Sequence, residues 1–238
     1  MKAMIFAAGL GTRLKPLTDN MPKALVSVNN RPLLAHTIQY LKAAGIENVV
    51  VNVHHFADQI EKSLHENDGW GSKYVISDER NAVLETGGGL KKAAPFFIEE
   101  SCFVLINVDI MTNLDLAKMI EHHQKSGSAA TLAVMKRKSS RYLQFNENNE
   151  LTGWINATTG ETKTARPDRQ VMQLAFSGIS VLSGALLHDI PFEGKFSIID
   201  LFLYWATKHK ISAYDHTGDV FLDVGRPETI ATAGVLFP

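Results

Sequence analysis

Hydrophobic and polar positions in the first half of the chain form two alternating kinds of segment. Short, predominantly apolar runs stand at 3–7, 49–53, 74–77 and 103–106, rich in Val, Ile and Phe. Runs of that length without a polar face predict strands buried on both sides. Between them, hydrophobic residues recur at helical spacing. Leu34, Ile38 and Leu41 share a face, with Pro32 placed as a first helical residue and Gly45 as a stop. Further helices are expected over 57–66, from the glycine cluster after Thr86, and over 114–126 up to Gly127. Strands that alternate with helices predict right-handed crossovers and a mostly parallel sheet covered on both faces.

The second half changes character. Long strands are expected at 129–135 and 173–182, separated by the polar stretch 147–168, whose Asn148-Asn149, Gly153 and Gly160 suit hairpin turns or a lid. A strongly apolar helix follows at 196–209, then a strand at 220–224 and a last helix opened near Pro227. There is no internal repeat and no hexapeptide β-helix pattern. The expectation is one α/β domain over 1–238, a Rossmann-like half to about residue 135 and a smaller, more antiparallel lobe from about 136.

Composition narrows the field. The chain has 238 residues, with 24 Lys and Arg against 25 Asp and Glu, 45% hydrophobic and 21% charged. That excludes collagenous, disordered and disulfide-scaffold classes. No apolar run approaches the ~18 residues of a membrane helix. A formal charge of −1 argues against a broad nucleic-acid surface. The single cysteine, Cys102, lies in an apolar run, which excludes zinc clusters and CxxC redox chemistry and points to a reducing compartment. The first eight residues run directly into a loop bearing Arg13 and Lys15, poor architecture for a signal peptide. A cytoplasmic protein is expected.

The densest chemical signal is the string Phe6-Ala7-Ala8-Gly9-Leu10-Gly11-Thr12-Arg13-Leu14-Lys15-Pro16-Leu17-Thr18, followed by Met21-Pro22-Lys23-Ala24-Leu25. A strand ends at Ala7, and two glycines let the backbone bend and present amide N–H groups to phosphate oxygens. The dinucleotide fingerprint needs a third glycine where Leu14 stands, which disfavours an oxidoreductase, and the Walker Gly-Lys-Ser/Thr is missing. Instead, Arg13 and Lys23 bracket the loop as two cations placed for a polyphosphate. Lys23, as a loop cation, is expected to face solvent and to contribute little to stability.

This string resembles the opening signature of the sugar-nucleotidyltransferases, and the resemblance runs the length of the chain because later motifs follow in order. Leu84-Glu85-Thr86-Gly87-Gly88-Gly89 is similar to the family's second glycine loop, Asn107-Val108-Asp109 to its strand-end metal aspartate, Phe176-Ser177-Gly178-Ile179 to its sugar-facing strand, and Val220-Phe221-Leu222-Asp223-Val224-Gly225 to its second metal aspartate. Glu-Thr-Gly-Gly-Gly in so short a chain most resembles the MurNAc-1-phosphate uridylyltransferases; mannose-1-phosphate and heptose-1-phosphate guanylyltransferases come next.

The resemblance implies a nucleotidyltransferase fold. It also implies a Mg²⁺-dependent transfer of a nucleoside monophosphate from UTP to a sugar 1-phosphate, within sugar-nucleotide biosynthesis and cell-wall recycling. Arg13 and Lys23 become the catalytic cations, and Asp109 and Asp223 the metal ligands. The nucleotide falls to Ala8, Gly9, Gly11, Thr12, Glu85, Gly87, Gly88 and Asn107, and the sugar to Ser177, Gly178 and Arg141. The sequence leaves base, sugar and oligomeric state open, from a monomer to a small homo-oligomer. A catalytically silent NDP-sugar sensor is the competing class; the presence of both cations and both aspartates favours the enzyme.

Two positions depart from the family pattern. Val108 stands where glycine is common, and Arg226 follows Gly225 where a small Thr is common. Both read as harmless. The basic turn Lys136-Arg137-Lys138 reads as a solvated turn, and Asp78-Glu79-Arg80 as a border of the base pocket. His54-His55 and His122-His123 read as bland surface or helix-end pairs, because adjacent strand side chains diverge and a helix C-terminus accommodates histidine.

Overall fold

The computed structural model describes residues 1–238. In chain order the first half holds β1 (Lys2–Phe6), the short pair β2 (Ser27–Val28) and β3 (Arg31–Pro32), α1 (Leu33–Ala43), β4 (Asn48–Val53), α2 (Ala57–Glu66), β5 (Lys73–Asp78), α3 (Glu85–Ala93), β6 (Phe103–Asn107), β7 (Ile110–Thr112) and α4 (Leu116–Ser126). The second half holds β8 (Ala130–Met135), β9 (Arg141–Phe145), β10 (Leu151–Asn156), β11 (Thr162–Thr164), β12 (Met172–Leu182), α5 (Ile198–Ala206), β13 (Ile211–Asp215), β14 (Phe221–Asp223) and α6 (Pro227–Leu236).

Ten strands form one sheet in the order β11-β10-β9-β12-β6-β1-β4-β5, with β8 and β13 branching from β12. The expected parallel core is there: β1 lies between β4 and β6, and β5 continues beyond β4, all parallel. From β12 onward the pairing turns antiparallel except for β8 with β13. The polar stretch 147–168 contains a hairpin, β10 against β11, rather than a lid.

Predominantly apolar strands follow from helices on both faces. In β1, Ala3 and Ile5 enter one core with Leu34 and Ile38 of α1, Ile60 of α2 and Met119 of α4. Met4, between them, enters the other, with Leu90 of α3 and Leu201, Phe202 and Trp205 of α5. Each strand residue is thus buried by one layer or the other, and a fully buried Leu, Ile or Phe contributes roughly 1.5–3 kcal/mol.

The structure shifts four helix starts, among them that of α5, which begins at Ile198 and not at 196. Pro32 precedes α1 in an extended conformation instead of opening it. Asp115 caps α4 by accepting from the Lys118 N–H, so that helix begins at Leu116 and not at 114. The glycine-cluster helix begins at Glu85, before Thr86. β2, β3, β7, β9 and β13 were not expected.

The two halves join at β12. Its C-terminal part pairs with β6, its N-terminal part pairs with β9, and its register with β8 slips between Phe176 and Ser180. Gly178, at φ 71°, takes the left-handed conformation that the slip requires. A Cβ there would stand 2.8 Å from Asn107 Nδ2, so the kink presses directly on the end of β6.

Candidate active site

The carboxyl ends of β1, β4 and β6 open into a cleft, where parallel sheets place ligands. One chamber of about 340 Å³ is lined by Phe6, Ala8, Gly9, Asn52, Glu79 and Thr86 among others. A second, of about 160 Å³, shares Phe6, Gly9 and Thr86 and adds Lys23, Asn107, Val108 and Asp109. They are two ends of one groove divided by the glycine loop.

At the first end, Asn52 is the organiser. Its Oδ1 accepts from the N–H groups of Ala7 (2.7 Å) and Ala8 (3.2 Å), and its Nδ2 donates to Glu79 Oε1 (2.8 Å). The start of the glycine loop and the Glu79 carboxyl are therefore held by one side chain. Glu79 is 2% exposed. Burial pushes its carboxyl above the ordinary range, opposed by the Asn52 bond and by Lys92 and His54. Neither Asn52 nor the depth of Glu79 was anticipated, although an amide inside Val49-Val50-Val51-Asn52-Val53 is a buried polar group that demands partners.

Gly11 has φ 65°, and a Cβ on it would meet Thr18 Cγ2 at 2.9 Å and Lys23 Cβ at 3.1 Å. Thr18 Oγ1 closes the loop by donating to Gly11 O at 2.8 Å. A Cβ on Gly9 would meet nothing within 4 Å, which leaves its backbone open to the groove. Thr12 and Arg13 lie on the loop that follows, both exposed.

At the second end the structure brings four expected residues together. Lys23 Nζ donates to Asp109 Oδ2. The N–H of Val224 donates to Asp109 O at 2.8 Å, and Asp223 lies opposite Ile110 in the β14–β7 pair. These bonds set the two aspartates side by side. Gly225 keeps Arg13 close, because a Cβ there would lie 2.7 Å from Asp223 Oδ1 and 3.1 Å from Arg13 Nη2. Asp223 is open to solvent, yet its carboxyl is enclosed by this group. Burial raises it above its usual range, the Asp109 carboxylate raises it further, and Lys23 and Arg13 oppose the shift.

Two carboxylates that repel each other, with a lysine already neutralising one, fit a divalent cation. No group of three or more His, Cys, Asp or Glu surrounds the place. A hard ion held here would take its remaining ligands from phosphate oxygens and water.

Several expected positions fall differently. Lys23 is 9% exposed and ion-paired, so the expectation of a solvent-facing cation is corrected: the 3₁₀ turn at 23–25 packs it against the groove floor. The N–H groups of Gly87 and Gly88 both donate to Phe196 O, at 2.9 and 3.3 Å, and a Cβ on Gly88 would lie 2.2 Å from Gly194 O. These glycines dock α3 on the 194–196 segment and offer the groove no free amide. Glu85 stands at the groove mouth, with Lys195 Nζ 3.4 Å from its carboxylate.

Ser177 is fully buried, its Oγ 2.7 Å from His216 Nε2, so its hydroxyl faces the interior instead of a sugar. Arg141 is exposed at the start of β9 and is not brought to the aspartates. Val108 packs in the core beneath the second chamber, and Arg226 lies on the surface beside Glu228, preceding α6.

The "Nucleotidyl transferase" family model matches residues 2–148, which hold β1 through the glycine loops to Asp109. The chain belongs to the nucleotidyl transferase family. Within it, the N-acetylmuramate alpha-1-phosphate uridylyltransferase of Caulobacter vibrioides is 33% identical over 237 residues, 95% of this chain and 92% of that protein. Mannose-1-phosphate guanylyltransferase catalytic subunit beta of Xenopus tropicalis is 28% identical, and this chain spans 64% of its length. Among solved structures, HddC from Yersinia pseudotuberculosis complexed with GMP-PN is 27% identical, with TM-score 0.78 and coverage of 100% of this chain and 99% of that one. The likeness therefore takes in both halves of the sheet, from β1 to α6.

Proposed function

We propose that the protein transfers UMP from UTP to a sugar 1-phosphate, N-acetylmuramate 1-phosphate or a related N-acetylated sugar, giving the UDP-sugar and pyrophosphate. The observation that carries this reading is the convergence of Arg13, Lys23, Asp109 and Asp223 at one end of a groove whose other end is a base-sized chamber. The likeness to the Caulobacter uridylyltransferase over nearly all of both chains supports the choice of substrates.

In the reaction an oxygen of the acceptor phosphate attacks the α-phosphorus of UTP. The bond from that phosphorus to the α,β-bridging oxygen breaks, and pyrophosphate leaves with the electron pair. The protein's contribution is to position the two anions and offset their charge. Ala8, Gly9, Gly11 and Thr12 follow the triphosphate, with Arg13 meeting the departing pyrophosphate. Lys23 exchanges Asp109 for a phosphate oxygen as substrate arrives. Asp109 and Asp223 would hold Mg²⁺, which would supply Lewis-acid polarisation of the phosphate oxygens. Asn107, at the end of β6, borders the same chamber. A cytoplasmic setting follows from this reading, since UTP and a free, buried Cys102 belong to a reducing interior.

Guanylyl transfer is the second reading, favoured by HddC having been solved with GMP-PN. Glu79 separates the two. An ionised carboxylate accepts from both N1–H and N2–H of guanine, whereas uracil offers one N–H between two carbonyls and pairs in two places only with a neutral carboxyl. Burial of Glu79 favours the neutral form.

Two measurements test the proposal. Pyrophosphate release across four NTPs and several sugar 1-phosphates should be greatest with UTP and an N-acetylated sugar; GTP with mannose 1-phosphate as the best pair overturns it. Glu79→Gln, whose amide copies a neutral carboxyl, should keep UTP turnover within several-fold. Loss of UTP use on that substitution overturns the reading of Glu79 as a neutral carboxyl that pairs with uracil.

A further inference from the structure

Arg137, in the turn after β8, was expected to be a solvated turn residue, and it is not. It is half-buried, and its guanidinium Nη2 donates to Phe176 O at 3.0 Å. The guanidinium carbon lies 4.7 Å from the centre of the Phe221 ring. Its Nε is enclosed with no hydrogen-bond partner. No carboxylate lies in ion-pair contact with it; burial lowers its pKa from the ordinary guanidinium value, and Asp223, at longer range, and Tyr142 oppose that shift. A desolvated guanidinium supported only by one carbonyl and one ring face is costly unless an anion completes it.

The position of Phe221 says where that anion sits. Phe221 and Asp223 are two residues apart on β14, so their side chains share one face. Gly225, two residues further on, is where Arg13 approaches. Arg13 and Arg137 therefore flank Asp223 from opposite directions along one row, which spans roughly 13 Å at ~3.3 Å per residue. In-line displacement needs the same order: leaving pyrophosphate on one side of the α-phosphorus and attacking phosphate on the other. Arg13 belongs to the glycine loop and hence to the leaving side. Arg137 stands on the side built by β8, β12 and β14.

We infer that Arg137 binds the phosphate of the acceptor sugar 1-phosphate and holds it across Asp223 from the nucleotide. This rests on the function proposed above. The planar fork, fixed by Phe176 O and the Phe221 ring, presents its remaining N–H groups to two phosphate oxygens, a geometry that a lysine ammonium reproduces only as a point charge.

The test uses the full-length protein with Mg²⁺, UTP and N-acetylmuramate 1-phosphate, comparing wild type, Arg137→Met and Arg137→Lys. Methionine keeps the packing on Phe221 and removes the charge. The expected result is a KM for the sugar phosphate raised tenfold or more by Arg137→Met and partly restored by Arg137→Lys. The KM for UTP should stay within twofold and the melting temperature within about 2 °C of wild type. N-acetylglucosamine 1-phosphate, which lacks the lactyl carboxylate, should lose the same factor as substrate or competitive inhibitor.

A loss confined to the carboxylated sugar overturns the phosphate assignment in favour of the carboxylate. An unchanged acceptor KM, or both KM values rising with a fall in melting temperature, overturns it in favour of a packing role. If Arg137→Met does not fold, Arg137→Lys with a wild-type acceptor KM overturns it alone. A wild type that turns over while Arg137→Met keeps its acceptor KM defeats this inference only. A wild type that releases no pyrophosphate with any sugar 1-phosphate defeats the functional reading and this inference with it.

Discussion

Lys23 and Asp109 show how a loop cation becomes part of the protein's interior. Their side chains are 11% and 15% exposed, and each neutralises the other. Removing one leaves a partly buried charge without a partner, a change that costs about 3–5 kcal/mol in fully buried pairs and less where a groove admits water. Lys23→Ala should therefore abolish turnover and also lower the melting temperature, by several degrees. Lys23→Ala with Asp109→Asn should recover part of that loss, because the second substitution removes the orphaned charge; a double mutant as unstable as the sum of the singles refutes the coupling. Asp223 carries the opposite sign. Its carboxyl ionises less readily folded than unfolded, so stability present below its ordinary value of 3.8 is lost as pH rises through the folded value. In metal-free buffer, Asp223→Asn should melt above wild type at neutral pH and converge with it as pH falls towards 3.8. The same variant should lose nearly all UTP turnover, the usual exchange of stability for a charged site. A metal-free Asp223→Asn that melts below wild type at neutral pH contradicts the burial argument.

Elements position these residues, and glycine decides how closely they approach. Gly88→Ala places a methyl 2.2 Å from Gly194 O, a backbone atom that cannot swing away, so α3 must lift from the 194–196 segment. A loss of roughly 1–3 kcal/mol is expected, read as a lower melting temperature. Gly9→Ala meets nothing within 4 Å and should leave the melting temperature unchanged while raising the KM for UTP, since its methyl projects into the groove. Equal melting temperatures for the two variants would refute the distinction. The same contrast explains what the sequence revealed. β1, β4 and β6 were legible because both of their faces are buried, which leaves runs that are apolar but for Asn52 in β4 and the strand ends. β9 alternates buried Leu143 and Phe145 with partly exposed Tyr142 and Gln144, a strand signal masked by the basic turn beside it. β13 is five residues long and β8 is the one strand it pairs with, apart from a bridge to Glu150, so little in its own sequence marks it. The glycine loop was legible because its chemistry is local. Asn52 and Arg137 were not, since each acts on residues that only the assembled sheet brings near: Glu79 from β5's end for one, Phe176 and Phe221 for the other.

At the scale of the whole molecule, the groove is closed by parts that are distant in sequence, and its ligands should therefore tie the halves together. The N-terminal half supplies Asn52, Glu79, the glycine loop, Lys23 and Asp109; the C-terminal half supplies Asp223, Gly225 and Arg137, joined through the kink of β12 at Gly178. A ligand that binds only the folded chain adds about 2.7 kcal/mol at a hundred times its Kd. For a chain of this length, each kcal/mol moves the melting temperature by roughly 2–4 °C. Mg²⁺ with a non-hydrolysable UTP analogue at that concentration should thus raise the wild-type melting temperature by about 5–10 °C. Either aspartate replaced by Asn should lose most of that rise, and replacing both should lose little more, because one ion is shared between them. Arg137→Met should keep the full nucleotide rise, since its anion is the acceptor's phosphate. Thermal melts of these proteins with and without Mg²⁺ read each contribution separately. A nucleotide rise that is independent of Mg²⁺ and survives in the double aspartate variant would show that Asp109 and Asp223 hold no ion for the nucleotide, and the groove would then be a binding site without the charge arrangement that transfer requires.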